Sequence, residues 1–87
     1  MEQLRLRTEE LRWREIDGEV VAVDIPSSKY LSANAAGAIL WQMLAVGATL
    51  NSLAERLVEK FGIDRDRAQA DAKAFVDRLA ERDLLER

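Results

Sequence analysis

The sequence predicts an α+β fold, a three-stranded antiparallel sheet followed by three helices, and three observations carry that prediction. Two strand-like segments flank Asp17-Gly18, residues 30 to 54 carry no charged side chain, and two apolar stripes at helical spacing come after them. Charge crowds both flanks of the uncharged stretch, so the core is expected to centre there.

The strands come first. Leu11-Arg12-Trp13-Arg14-Glu15-Ile16 and Glu19-Val20-Val21-Ala22-Val23-Asp24-Ile25 are joined by Asp17-Gly18, a dipeptide that tolerates the positive φ angles of a type I′ hairpin. Pro26-Ser27-Ser28 then breaks the second strand, because proline cannot donate to a ladder and serine favours turns. Lys29-Tyr30-Leu31 is left as a short third strand, completing a meander that runs directly into the first helix.

Asn34 is the predicted cap of that helix, a short polar side chain able to accept from the free amides of the first turn. The helix runs to about Ala45 and Gly47 ends it. Thr49 can cap a second helix, in which Leu50, Leu53, Ala54, Leu57, Val58 and Phe61 form one apolar stripe. Gly62 supplies a left-handed stop and Asp64 the next cap. The third helix carries its stripe on Ala68, Ala72, Phe75, Val76 and Leu79. Leu84 and Leu85 are expected to fold back onto the core, while residues 1 to 8 look loosely held. The chain, residues 1–87, is read as one domain, large enough to bury roughly 60% of its unfolded surface.

Composition excludes most catalytic chemistry. With no cysteine and no histidine, thiol catalysis, zinc-thiolate sites and the commonest acid/base and metal ligand at neutral pH are unavailable. No carboxylates are arranged to suggest a metal cage, so neither metal nor cofactor is expected. The N-terminal residues hold no apolar signal segment, and the run from Ala35 to Ala48 is too short for the roughly 20 residues that cross a bilayer. A cytoplasmic location with no membrane partner is the default expectation. The formal charge of −3 is evenly spread, with five basic and seven acidic side chains in residues 1–30 and eight and nine in residues 55–87. Affinity for nucleic acid needs clustered Lys and Arg, so DNA and RNA are not expected partners.

Tyr30, Asn34, Gly37 and Trp41, followed by two amphipathic segments, resemble the PqqD-like family of peptide-binding domains, the RiPP recognition elements. The resemblance covers nearly all of the chain from Leu11 onward and is greatest to the stand-alone leader-binding members (B1) of lasso-peptide biosynthesis. It departs from the family pattern at Ala33, where a Leu commonly precedes the Asn, and at Asp83, where a Gly often closes the last helix. It implies a variant of the winged helix-turn-helix fold and a peptide site at the sheet edge, where a precursor's leader segment adds as a strand beside the last helix. Carried over position by position, that site comprises Ser28, Lys29, Tyr30 and Leu31 on the strand and Asp71, Ala72, Phe75, Val76 and Leu79 on the helix. The residues alone leave alternatives open. Phe75, Val76 and Leu79 also fit a core stripe, and Tyr30 also fits a cross-strand packing role. Trp41 reads as a core anchor, Trp13 as half exposed.

The function implied is non-catalytic: capture of a precursor by its leader peptide and presentation to a modifying enzyme such as a lasso-peptide leader peptidase. A PQQ-type peptide carrier serving a radical enzyme is the related alternative. A winged-helix DNA-binding regulator is the alternative from another class, although residues 50–61 offer only Arg56 and Lys60 against Glu55 and Glu59.

Overall fold

The computed structural model of the chain describes residues 3–86. The elements run β1 (Leu11–Ile16), β2 (Glu19–Asp24), β3 (Lys29–Ala33), α1 (Ala35–Val46), α2 (Leu50–Phe61) and α3 (Arg65–Glu81). β1, β2 and β3 lie side by side in that order, each antiparallel to its neighbour. This is the architecture the sequence predicts. β3 is two residues longer than expected and continues to Ala33, the residue before the Asn34 cap.

The turn chemistry is as the residue types require. Asp17 and Gly18 take φ values of 52° and 81°, the paired positive angles of a type I′ turn. That tight hairpin sets the register Trp13↔Ala22 on one side of β2, and Ala22↔Leu31 follows on the other. Because side chains alternate across a strand, Leu11, Val20, Ala22, Leu31 and Ala33 are buried against the helices. Arg12, Val21, Tyr30 and Ser32 belong to the opposite, exposed face.

All three helix starts are capped by side chains. Asn34 Oδ1 accepts from the Gly37 amide at 3.0 Å, and Asp64 Oδ1 from the Arg67 amide at 2.8 Å. Thr49 and Ser52 form a reciprocal capping box. Gly62 closes α2 in the left-handed conformation, with φ 69°. Asp83 does the same after α3 with φ 60°. There its amide donates to the Ala80 carbonyl and the Leu84 amide to the Leu79 carbonyl, both at 3.0 Å. This pair of bonds is a Schellman closure, so aspartate fills the position that glycine would favour.

The core gathers around Trp41, Leu44, Leu53, Leu57, Ala68, Ala72 and Leu79, with Val20 reaching in from the sheet. Trp13 meets Trp41 edge to face, ring centroids 5.9 Å apart, and remains 38% exposed, as its place between two arginines suggests. Leu84 is buried and Leu85 packs against the core, as expected.

The N-terminal segment corrects the sequence reading. Of residues 1 to 8, the first two lie outside the described residues, but Leu4 to Arg7 are not loosely held. Leu4 and Ala48 exchange backbone hydrogen bonds at 2.7 and 2.8 Å, Leu6 donates to the Leu44 carbonyl at 2.9 Å, and Arg7 to that of Leu84 at 2.7 Å. Leu6 is 1% exposed. The alternation Leu4-Arg5-Leu6-Arg7 is a strand-like period of two, and the segment uses it to strap the end of α1 to the C-terminal residues. No helix among the described residues is long and apolar enough to cross a membrane.

Candidate functional site

β3 is an edge strand, and the hairpin determines which of its backbone groups are free. A two-residue loop makes Ile16 and Glu19 a hydrogen-bonded pair, after which bonded and non-bonded pairs alternate. Residues 19, 21 and 23 of β2 therefore direct their amides and carbonyls at β1, and residues 20, 22 and 24 direct theirs at β3. The Ile25 amide, next in the odd series, does donate toward the β1 side, to the Glu10 carbonyl at 2.9 Å. Across β3 the bonded partners are Lys29, Leu31 and Ala33. Tyr30 and Ser32 consequently turn N–H and C=O outward. In agreement, Arg82 Nη1 at the end of α3 reaches the Tyr30 carbonyl from the open side, at 3.3 Å.

Beside that edge lies a groove. Ser32, Ala33 and Asn34 form one wall, and Phe61, Asp71, Ala74 and Arg78 the other, over a floor that includes Gly37, Leu40, Leu57 and Phe75. A smaller depression at the start of β3 is lined by Leu11, Asp24, Lys29, Leu31 and Arg82. α1 approaches β3 closely because residue 37 has no side chain. A β-carbon there would lie 2.9 Å from the Ala33 β-carbon and 3.1 Å from the Phe75 ring.

The sequence-derived site residues separate on this frame. Tyr30, 74% exposed, contributes its backbone to the free edge while its ring stands on the sheet's outer face. Lys29 and Leu31 spend their backbone groups on β2 and line the smaller depression with their side chains. Ser28 precedes the strand, in a turn with φ 59°. On α3, Asp71 and Phe75 line the groove. Ala72 and Leu79 are buried beneath it in the core. Val76 lies on the other flank of α3, in a hollow with Leu4, Leu50 and Lys73. The reason is helical geometry: at 100° per residue, position 76 is turned well away from 71, 75, 78 and 82. Two groove residues and one at the strand edge lie outside the sequence-derived site. Phe61 ends the apolar stripe of α2, yet it is 44% exposed and lines the groove. Arg78 and Arg82 continue the Asp71–Phe75 face at i+7 and i+11, a spacing that could have found them.

Electrostatics distinguish the charged groups. Asp24, at the end of β2, accepts from the Ser27 hydroxyl at 2.7 Å and pairs with Arg7. The serine bond first, and the arginine second, hold its carboxyl below the ordinary carboxylate range. Asp71 is engaged by Arg67 one turn back, Nε to Oδ2 3.7 Å. Neither Arg78 nor Arg82 forms an ion pair with a carboxylate among the described residues.

Comparison with known proteins gives three matches. The family profile of coenzyme PQQ synthesis protein D (PqqD) matches residues 19–85. Among solved structures, the lasso peptide synthetase B1 complexed with the leader peptide aligns with a TM-score of 0.84 and 27% identity, over 97% of this chain and 98% of that one. TbiB1 in complex with the TbiA(beta) leader peptide aligns with a TM-score of 0.85, over 94% of both chains, and at 24% identity it speaks to the fold. No curated protein matches the chain.

Proposed function

The chain belongs to the PqqD family, and from that premise we propose that it binds the leader segment of a ribosomally synthesised precursor peptide and presents it to a modifying enzyme. The observation that carries this reading is the open backbone of Tyr30 and Ser32 on β3 beside the groove that holds Phe75. An extended peptide completes such an edge with its own amides and carbonyls and lays alternate side chains into the groove. The similar lasso peptide synthetase B1, whose structure holds a leader peptide, supports the same role. The enzyme served is then the leader peptidase of a lasso-peptide pathway. A PQQ-type carrier would use the same edge and differ in its enzyme.

The module supplies affinity and no turnover, in keeping with a chain lacking Cys and His. The DNA-binding alternative fits less well, because α2 matches Arg56 and Lys60 with Glu55 and Glu59, and Arg56 already faces Glu59 at 3.6 Å. Fluorescence-anisotropy titration with synthetic leader peptides of lasso and PQQ precursors tests the proposal. An added strand and a shallow groove bury roughly 1,000 to 1,500 Å2, and dissociation constants of about 10 nM to a few μM are expected. Turnover of those peptides by the isolated protein, or no binding to any of them, would sink it.

A further inference from the structure

Resting on the leader-binding reading, we infer that the bound segment carries a carboxylate that pairs with Arg78 and Arg82. Arg78 lines the groove and Arg82, one turn on at the C-cap of α3, lines the smaller depression beside it, in a protein whose net charge is −3. Two nearby carboxylates have partners of their own. Asp71, on the same groove wall as Arg78, is held by Arg67, and Asp24 by Arg7 and Ser27. Glu81, Asp83 and Lys29 border the smaller depression that Arg82 also lines. Arg78 and Arg82 form no ion pair with a carboxylate among the described residues.

Arg82 spends its guanidinium on the Tyr30 carbonyl instead, a long 3.3 Å bond at the strand edge. That carbonyl is one of the groups an added strand must use. An incoming peptide amide replaces the guanidinium there, and the freed cation, partly covered by the peptide, needs a new acceptor. Water serves poorly once the peptide lies over the edge, whereas a carboxylate matches the planar donor fork with charge-assisted bonds. Arg82 thus occupies the empty edge and then selects its occupant. A neutral or basic segment would leave two cations covered and uncompensated, so the pair works for acidic leaders and against basic ones.

Selection of random-sequence peptides by display on the immobilised protein tests this, keeping only binders lost on a Ser32→Pro variant so that the β3 edge is the site reported. Retained peptides are expected to be enriched in Asp or Glu at one position relative to their apolar residues. Converting that carboxylate to its amide should weaken binding at least about tenfold to the wild type and about twofold or less to an Arg78→Gln, Arg82→Gln variant, the non-additivity of a direct pair. The exposed arginines leave the fold intact, which circular dichroism checks. Edge-dependent binders without acidic enrichment, or an equal loss on the double variant, overturn this inference and leave the leader-binding reading standing. If no edge-dependent binder is selected, both fall.

Discussion

Phe75 Cε1 lies 3.1 Å from the position a β-carbon on residue 37 would occupy, so the ring that floors the groove rests against a helix turn that any side chain at 37 would crowd. The contact ties the first turn of α1, the end of β3 and the middle of α3 into one corner. Gly37→Ala should gain some helix propensity, up to about 1 kcal/mol, and lose more to the clash with Ala33 and Phe75, for a net destabilisation of about 1 kcal/mol. Peptide affinity should fall with it as Phe75 is pushed into the groove. Urea unfolding decides: a variant as stable as the wild type would mean the corner has slack.

Proline reads out the strand edge in a position-specific way. At Ser32 the amide points outward, so Ser32→Pro removes a donor the fold does not use and should stay folded while losing peptide binding by more than about tenfold. At Leu31 the amide bonds β2, and Leu31→Pro should unfold the sheet. Circular dichroism with a binding isotherm on each variant separates the two, and a Ser32→Pro protein that binds normally would remove β3 as the site.

The flanks of α3 should respond differently to truncation. Phe75→Ala is expected to weaken leader binding at least about tenfold, about 1.4 kcal/mol. Val76→Ala, on the far flank, should cost about 1 kcal/mol of stability and leave binding unchanged. Leu79→Ala should cost about 2 to 5 kcal/mol of folding free energy, a large part of the total for a domain of this size. A selective binding defect at Val76 would contradict the placement of the groove.

The N-terminal strap is structural. Leu6→Ala should destabilise by about 2 to 5 kcal/mol, as for any fully buried leucine, and native-state hydrogen exchange should then accelerate at Ala48 and Glu86, whose amides donate to the Leu4 and Arg5 carbonyls of the strap. Unchanged exchange at both ends would show the strap to be dispensable.

Asp24 makes part of the stability dependent on pH. Its carboxyl is held below the ordinary range by Ser27 and Arg7, so its contribution is complete above the unfolded-state value, about 3.9, and is lost as pH falls through the lower folded-state value. Asp24→Asn should therefore be less stable than the wild type at neutral pH, and the gap should close as the solution is acidified below about pH 4. Paired urea titrations across that range check it. A gap that persists in acid would assign the loss to packing instead.

Most of the fold was legible in the chain because its signals are local. Asp17-Gly18 requires a hairpin, Asn34, Thr49 and Asp64 mark three helix starts, and Gly47 and Gly62 mark two ends, each through backbone preferences that act within a few residues. The alternation of Leu4 and Leu6 was equally local, but a lone strap becomes recognisable only when Ala48 and Leu85, far off in sequence, are seen to receive it. The candidate site was half legible. Pattern alone placed Phe75, Val76 and Leu79 on one apolar stripe, and tertiary packing divided them among groove, far flank and core according to their angle about the α3 axis. Likewise, that Tyr30 and Ser32 own the free edge depends on hairpin register carried across two strands. That Arg82 reaches Tyr30 depends on where the end of α3 lies beside β3. Residue type determines how each segment bends, and only the assembled chain decides which of its faces is left for a partner.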